Sequence, residues 1–159
     1  MTNIHDLAFV KFHEVPMTFY PKAWNDFGDD HKYIWEEVEF PPVPLKKIPK
    51  SPGVYVFVVG PSIFNFRYAN GLFYVGKATS LYSRISSYIS ELGSDFKKST
   101  RPRVWNMINT WNGYLRYFYT ITDSVEEAEK LESQMLQALI PPFNDRIDGY
   151  IGKIEKAFP

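Results

Sequence analysis

One charged residue stands where helical spacing calls for an apolar one, and a second borders an apolar face. Ser124 followed three residues later by Glu127 is a capping box, opening a helix that runs to about Leu139 before Pro141-Pro142 stops it. At about 100° per residue, Val125, Ala128, Met135, Leu136 and Leu139 share one face of that helix, with Leu131 at its margin. Glu126, Glu127 and Lys130 lie on the other side. Glu132 falls inside the apolar stripe, roughly 20° from Val125. A carboxylate left unpaired there is costly, so it must be paired, metal-bound or open to a cleft. For a lone glutamate a structural ion pair is the commoner outcome. A second helix, capped by Thr79 or Ser80, carries Leu81, Ile85, Tyr88, Ile89 and Leu92 at helical spacing. Arg84 and Tyr88, four apart, border its apolar face. An arginine so placed binds a carboxylate or phosphate, or snorkels into water, and the two readings weigh equally.

The elements that must position these groups begin near Gly53. The run Val54 to Val59 is rich in β-formers and bounded by Pro52-Gly53 and Gly60-Pro61. Leu72 to Val75 is a second short strand, left at Gly76 and joined to the first by a long hairpin loop, Gly60 to Gly71. Val104 to Trp111 reads as a further helix. Tyr114 to Ile121 alternates as a strand, with Leu115, Tyr117, Tyr119 and Ile121 on one face. The order ββααβα predicts an α+β fold: a small, about three-stranded, antiparallel sheet flanked by α-helices. Pro41, Pro42, Pro44, Pro49 and Pro52 mark an extended connector laid along a surface. Upstream, Phe9, Phe12, Phe19, Tyr20, Trp24, Phe27, Tyr33 and Trp35 predict an aromatic N-terminal arm packed on the main domain. The expected division is residues 1–50 as extension and connector, and 51–159 as the functional domain.

Composition narrows the function classes. The 159 residues contain no cysteine, which excludes a disulfide scaffold, a thiolate zinc site and a cysteine nucleophile. With 13 Phe, 11 Tyr and 4 Trp, the chain is not of the disordered class. The run Val54 to Val59 is far short of the ~20 apolar residues that span a bilayer. No signal-peptide pattern opens the sequence, so the expectation is a soluble, cytoplasmic domain without a membrane partner. The 18 basic and 18 acidic residues balance, which argues against a uniformly basic nucleic-acid binder. That neutrality is an average, however. Between Lys77 and Arg116, Lys77, Arg84, Lys97, Lys98, Arg101, Arg103 and Arg116 stand against only Glu91 and Asp95. The loop carrying Lys97, Lys98, Arg101 and Arg103 is a candidate track for a DNA backbone, although exposed basic loops are often merely solvated.

Gly53-Val54-Tyr55 followed by Tyr74-Val75-Gly76-Lys77 resembles the paired motifs of the GIY-YIG nuclease superfamily. The stretch Tyr74 to Tyr88 is similar to the N-terminal nuclease module of the UvrC excision-repair family. A third block fits too, with Leu131-Glu132 twelve positions before Asn144, which closes Pro142-Phe143-Asn144. The resemblance covers about residues 51 to 146. It departs in two places: 18 residues separate Tyr55 from Tyr74, longer than the usual hairpin, and Val replaces Ile in both motifs. A chain of this length is not expected to hold the further domains of a full repair subunit, and the first 50 residues carry no motif of that resemblance.

The resemblance implies a divalent-metal-dependent endonuclease that hydrolyses DNA phosphodiester bonds. It implies a single metal held by Glu132 and otherwise by water and substrate oxygens, Mg²⁺ with Mn²⁺ as a substitute; Asp145 and Asp148 are the only reserve carboxylates nearby. Tyr55 and Tyr74 match the motif tyrosines, of which Tyr74 is the favoured base and Tyr55 the support. A free tyrosine has a pKa of about 10, so a tyrosine base needs cations close by, and Lys77 and Arg84 are the natural suppliers. Arg84 would also clamp the scissile phosphate, Tyr88 would orient Arg84 or the phosphate, and Asn144 would bind substrate or fix the site loop. Gly53 and Gly76 are expected as turn glycines. Ordinary sheet packing remains the alternative for the tyrosines. Two other functions stay open: a catalytically idle nucleic-acid-binding module, and an adaptor or oligomerisation domain using the aromatic arm. One such site cuts one strand, so a concerted double-strand break would need a dimer.

Overall fold

The computed structural model describes residues 22–23, 32–59, 71–141, 143 and 144. Within them the elements run β1 (Glu36–Glu39), β2 (Gly53–Val59), β3 (Leu72–Ala78), α1 (Leu81–Ile89), α2 (Pro102–Thr110), β4 (Leu115–Ile121) and α3 (Val125–Leu139). Short 3-10 turns occupy Leu45–Lys47 and Phe96–Lys98. The loop expected across residues 60–70 lies outside the described residues, as do Pro142, Asp145, Asp148 and the aromatics Phe9, Phe12, Phe19, Tyr20, Trp24 and Phe27.

The strands form one antiparallel sheet in the order β1-β4-β2-β3. β2 lies between β4 and β3, with Tyr55 opposite Tyr119 on one side and Gly76 on the other. Being central, it is buried on both faces, which is why its sequence reads as an unbroken apolar run. Tyr55 and Phe57 face a core closed by Leu81, Ile85 and Tyr88 of α1 and Met107 and Ile108 of α2. Val54 and Val56 face the opposite way, with Val75 of β3, onto Ala128, Leu131 and Met135 of α3. The architecture is the expected α+β one, with helices on both faces of the sheet.

The fourth strand comes from the N-terminal region. β1 pairs with β4, Val38 opposite Tyr117. Its sequence, Glu-Glu-Val-Glu, has no apolar alternation, yet each acid has a partner. Glu37 and Glu39 accept hydrogen bonds from Arg116 at 2.9 and 3.0 Å, and Glu36 accepts one from the Tyr119 hydroxyl at 2.6 Å. The proline-rich connector is more than a surface strap. Phe40 and Ile48 are buried in the core, Phe40 meeting Phe57 edge-on at 5.2 Å.

The connector also caps α1. The Leu81 and Tyr82 amides donate to the carbonyls of Ser51 and Pro49 at 3.0 and 2.9 Å, and the Ser83 amide donates to the Ser80 hydroxyl at 3.3 Å. Three of the four N–H groups that a helix start leaves unpaired are thereby satisfied, which fixes the helix that carries Arg84. α2 begins two residues before the expected start because Pro102 takes its first turn, where a missing N–H costs nothing. α3 starts at its capping box: the Glu127 amide donates to the Ser124 hydroxyl at 3.1 Å, and the Glu127 carboxylate accepts from the Asp123 amide at 2.8 Å. Lys32 pairs with the same carboxylate. Together these bonds hold Glu127 well below the usual carboxylate range, at about 2.

Candidate active site

The candidate residues come from both faces of the sheet and meet at the end of β3. Tyr55 and Tyr88 are buried on the α1 side, each about 1% exposed, with their hydroxyls hydrogen-bonded to each other at 2.6 Å. Tyr74 is half-buried beside them, its ring 6.1 Å from Tyr55 and 6.4 Å from Tyr88. Burial pushes the Tyr55 phenol well above its ordinary value, and the neighbouring phenols Tyr88 and Tyr74 push it further. Burial likewise drives Tyr88 upward. Both are therefore neutral O–H donors at any physiological pH. Of the three, Tyr74 alone combines partial exposure with a place beside this pair.

Gly53 and Gly76 are not turn residues. Gly53 opens β2 and Gly76 lies within β3, and neither has positive φ. Each is required instead by close approach. A Cβ on Gly76 would stand 2.3 Å from the Tyr55 hydroxyl and 2.9 Å from the Tyr74 ring. A Cβ on Gly53 would stand 2.1 Å from the Thr120 carbonyl. Gly76 is thus the gap through which the Tyr55 hydroxyl reaches over the strand.

Around that gap, on the α3 side, sits Glu132. Its Oε1 accepts a hydrogen bond from the Lys77 amide at 3.0 Å, and its Oε2 is 3.8 Å from the Lys77 ammonium. Its side chain is 20% exposed. Burial raises its pKa, opposed by the Lys77 charge and the amide hydrogen bond. The apolar-stripe carboxylate is therefore explained: it is half-buried, held by a strand-edge amide, and open on one side. Lys77 also bridges to Glu129 at 2.7 Å. Glu129 escaped the sequence reading, although its position three before Glu132 on one helix was a usable signal.

Asn144 sits on the same edge. Its Oδ1 accepts from the Val75 amide at 3.0 Å, and its Nδ2 donates to the Val75 carbonyl at 2.7 Å. The Phe143 amide donates to the Phe73 carbonyl at 3.1 Å. β3 is the outer strand on this side of the sheet, and its outward-facing groups at Phe73, Val75 and Lys77 are covered by Phe143, Asn144 and Glu132 in turn. Asn144 is a positioning residue here, both ends of its amide being used to hold the motif strand.

Arg84 is exposed on α1, and no hydrogen bond or ion pair engages its guanidinium among the described residues. Its charge lowers the pKa of Tyr55, Tyr88 and Glu132, so it lies within electrostatic reach of all three. Arg101 behaves differently from its neighbours in the basic loop. Its guanidinium donates to the Ser87 carbonyl at 3.0 Å, stands 3.5 Å from Glu91, and lies 5.0 Å over the Tyr88 ring. Lys97, Lys98 and Arg103 are exposed on the surface. Tyr117, stacked at 5.6 Å on Tyr55, is a buried phenol whose hydroxyl has no partner among the described residues.

The donor set suits a hard divalent cation that keeps most of its water. One half-buried carboxylate has an open side, with no nitrogen or sulfur ligand beside it, and no group of three or more potential metal ligands exists among the described residues. Among those residues, too, no helix is long and apolar enough to cross a membrane.

The chain is similar to the UvrABC system protein C of Neisseria gonorrhoeae, 36% identical over 104 residues, which are 65% of this chain and 14% of that protein. Its counterpart in Neisseria meningitidis serogroup B is 33% identical over 114 residues, 69% of this chain and 16% of the other. That of Saccharopolyspora erythraea is 36% identical over 100 residues, 62% and 12%. The chain thus spans about a sixth or less of the length of these relatives. No solved structure matches it significantly. The model of the UvrC-like GIY-YIG domain matches residues 51–145, the segment holding all three tyrosines, Arg84, Glu132 and Asn144, and by that match the chain belongs to the UvrC-like GIY-YIG domain family.

Proposed function

We propose that residues 51–159 form a DNA endonuclease module and residues 1–50 an extension, of which the stretch 36–48 braces its sheet. The observation that carries this reading is the meeting of the Tyr55–Tyr88 pair, Tyr74 and Glu132 around Gly76 and Lys77, beneath an uncommitted Arg84. Arg84 binds the non-bridging oxygens of the scissile phosphate. A water attacks phosphorus and Tyr74, as the general base, takes its proton as the opposite P–O bond breaks. The leaving oxygen takes its proton from solvent. The buried Tyr55–Tyr88 hydroxyl pair stands behind Tyr74 and holds its ring in place by packing. Glu132 would hold Mg²⁺, or Mn²⁺ in its place, and such a cation when bound would neutralise charge on the phosphoryl and leaving oxygens. Lys77 places its amide on Glu132 and its ammonium between Glu132 and Glu129.

Similarity to UvrABC system protein C supports placing this module in excision repair, in a cytoplasmic setting. A single site of this kind nicks one strand, and a concerted double-strand break would require a dimer. The test is nicking of supercoiled plasmid with Mg²⁺ and with EDTA, for the full chain and Arg84→Ala. Expected are metal-dependent nicking and a loss of roughly 100-fold or more in the variant, the scale of removing one transition-state donor. Binding without cleavage would leave the module idle, and no binding at all would favour an adaptor.

A further inference from the structure

The turn between α1 and α2 has features that the proposed chemistry does not use. Phe96 is 54% exposed at the head of the Phe96–Lys98 turn. It rests edge-on against Trp105 at 5.1 Å. Lys97 and Lys98 follow it, both exposed, and their ammonium groups make no hydrogen bond or ion pair among the described residues. An isolated exposed aromatic is ordinary on a protein surface. This one is held out by an unusual amount of scaffolding. The Trp105 indole donates to the Ser94 carbonyl at 2.9 Å. Asn109 donates to the Glu91 carbonyl at 3.0 Å and accepts from the Gly93 amide at 2.7 Å, with Gly93 at φ +70°. The Asp95 carboxylate is turned onto the Lys97 amide at 3.0 Å, away from the lysine ammonium groups. Beyond the turn, Arg101 ties the segment back to Ser87, Tyr88 and Glu91.

A rigid aromatic followed by two unpaired lysines offers a π-face and positive charge with little ordering cost. Positive charge beside the ring selects a polyanion with flat, stackable groups. Duplex DNA hides its base faces, whereas an unpaired strand exposes them. We propose that the Phe96–Lys98 turn binds single-stranded DNA, Phe96 stacking on an unpaired base while Lys97 and Lys98 meet the flanking phosphates. The inference rests on the nuclease reading and specifies its substrate as DNA with an unpaired stretch close to the cut. Five peptide steps join Phe96 to Arg101, the residue whose guanidinium lies over Tyr88, so their Cα atoms are at most about 18 Å apart.

The test is binding of a labelled single-stranded oligonucleotide and of the matching blunt duplex to the full chain, in EDTA and at about 50 mM salt. Phe96→Ala should weaken single-strand binding by about 10- to 100-fold and duplex binding by less than about twofold, and Phe96→Tyr should restore the former. Lys97→Gln and Lys98→Gln, both at exposed positions, should each reduce the salt slope on single strands by about 0.7. Unchanged single-strand binding in Phe96→Ala, or equal loss on both substrates, would overturn the proposal. If the wild type still nicks DNA in a metal-dependent way, that result removes the stacking site alone. Absence of any DNA binding by the wild type would overturn both.

Discussion

Replacing Gly76 by alanine tests the geometry of the site through a single methyl group. In a strand with room to spare, Gly→Ala stabilises a protein by about 0.4–1 kcal/mol through the entropy of the unfolded chain. Here the sign reverses. The added Cβ would stand 2.3 Å from the Tyr55 hydroxyl oxygen and 2.5 Å from its Cζ, so one group must retreat by about 1 Å to regain ordinary contact at 3.4 Å. Tyr55 has nowhere to go. Its ring is 1% exposed and is hemmed in by Phe57, Tyr74, Tyr88 and Tyr117. If β3 moves instead, the Lys77 amide leaves Glu132, since Lys77 is the next residue. Overpacking of this kind costs about 1–3 kcal/mol, which lowers Tm by roughly 3–9 °C for a domain of this size. A misplacement of about 1 Å at a reacting group costs on the order of 100-fold in rate. Thermal melting and single-turnover plasmid nicking, at a temperature where the variant stays folded, measure both. A Gly76→Ala protein with wild-type Tm and wild-type rate would refute the claim that the Tyr55 hydroxyl occupies that gap.

Other perturbations separate the roles of neighbouring groups. Glu132→Gln removes a partly buried charge while keeping an oxygen for the Lys77 amide, so metal-dependent nicking should vanish while Tm at pH 7 stays at or above wild type. Because burial raises the pKa of Glu132, its ionised form opposes folding as pH rises through that value. The Tm difference should therefore shrink toward zero near pH 4, where both side chains are neutral; a variant less stable at pH 7 than at pH 4, relative to wild type, would contradict this. Arg101→Gln should leave the salt slope of DNA binding unchanged, because its guanidinium is spent on Ser87, Glu91 and Tyr88, and should instead lower the nicking rate; a slope reduced by about one would make it a phosphate contact. Asn144→Ala unpairs the Val75 amide and carbonyl at the strand edge and should cost about 1–3 kcal/mol in urea unfolding, with DNA affinity retained. A loss of affinity with unchanged stability would mean that Asn144 touches substrate directly.

Local pattern was a good guide where a residue's environment is set by its own element. β2 announces itself because a central strand is apolar on both faces, and α3 because its capping box and stripe follow helical spacing. The misplaced Glu132 was visible for the same reason. What stayed hidden depends on partners far along the chain. β1 has no alternation to detect, because its acids are matched by Arg116 and Tyr119, roughly 80 residues on. Ile121 shares its face of β4 with the buried Leu115, Tyr117 and Tyr119 but is 49% exposed, since it lies at the strand's end. The glycines were legible as necessary but not for the right reason: only the pairing of β2 with β3 shows that Gly76 lies opposite Tyr55. Likewise the charge of Arg101 could be counted, but no local signal turns it inward onto Tyr88.

The placement of Glu132 and Asn144 on one strand edge has a consequence for how site and fold depend on each other. An outer strand must have its free N–H and C=O groups covered, or it becomes a template for further pairing. Here the cover is supplied by Glu132 and Asn144, the latter together with the adjoining Phe143 amide. Glu132 uses one oxygen for the edge, while the other stands 3.8 Å from the Lys77 ammonium. The amide that holds it belongs to Lys77, next to the glycine that admits the Tyr55 hydroxyl. Displacing β3 by even a fraction of a residue would therefore disturb carboxylate and phenols together. Stability and chemistry should thus fail together in variants of the β3 backbone, and separately in variants of Arg84, which the fold does not use. That difference is open to measurement: across a panel of β3-edge substitutions, nicking rate should fall with Tm, whereas Arg84→Ala should lie off that line with wild-type Tm and little activity.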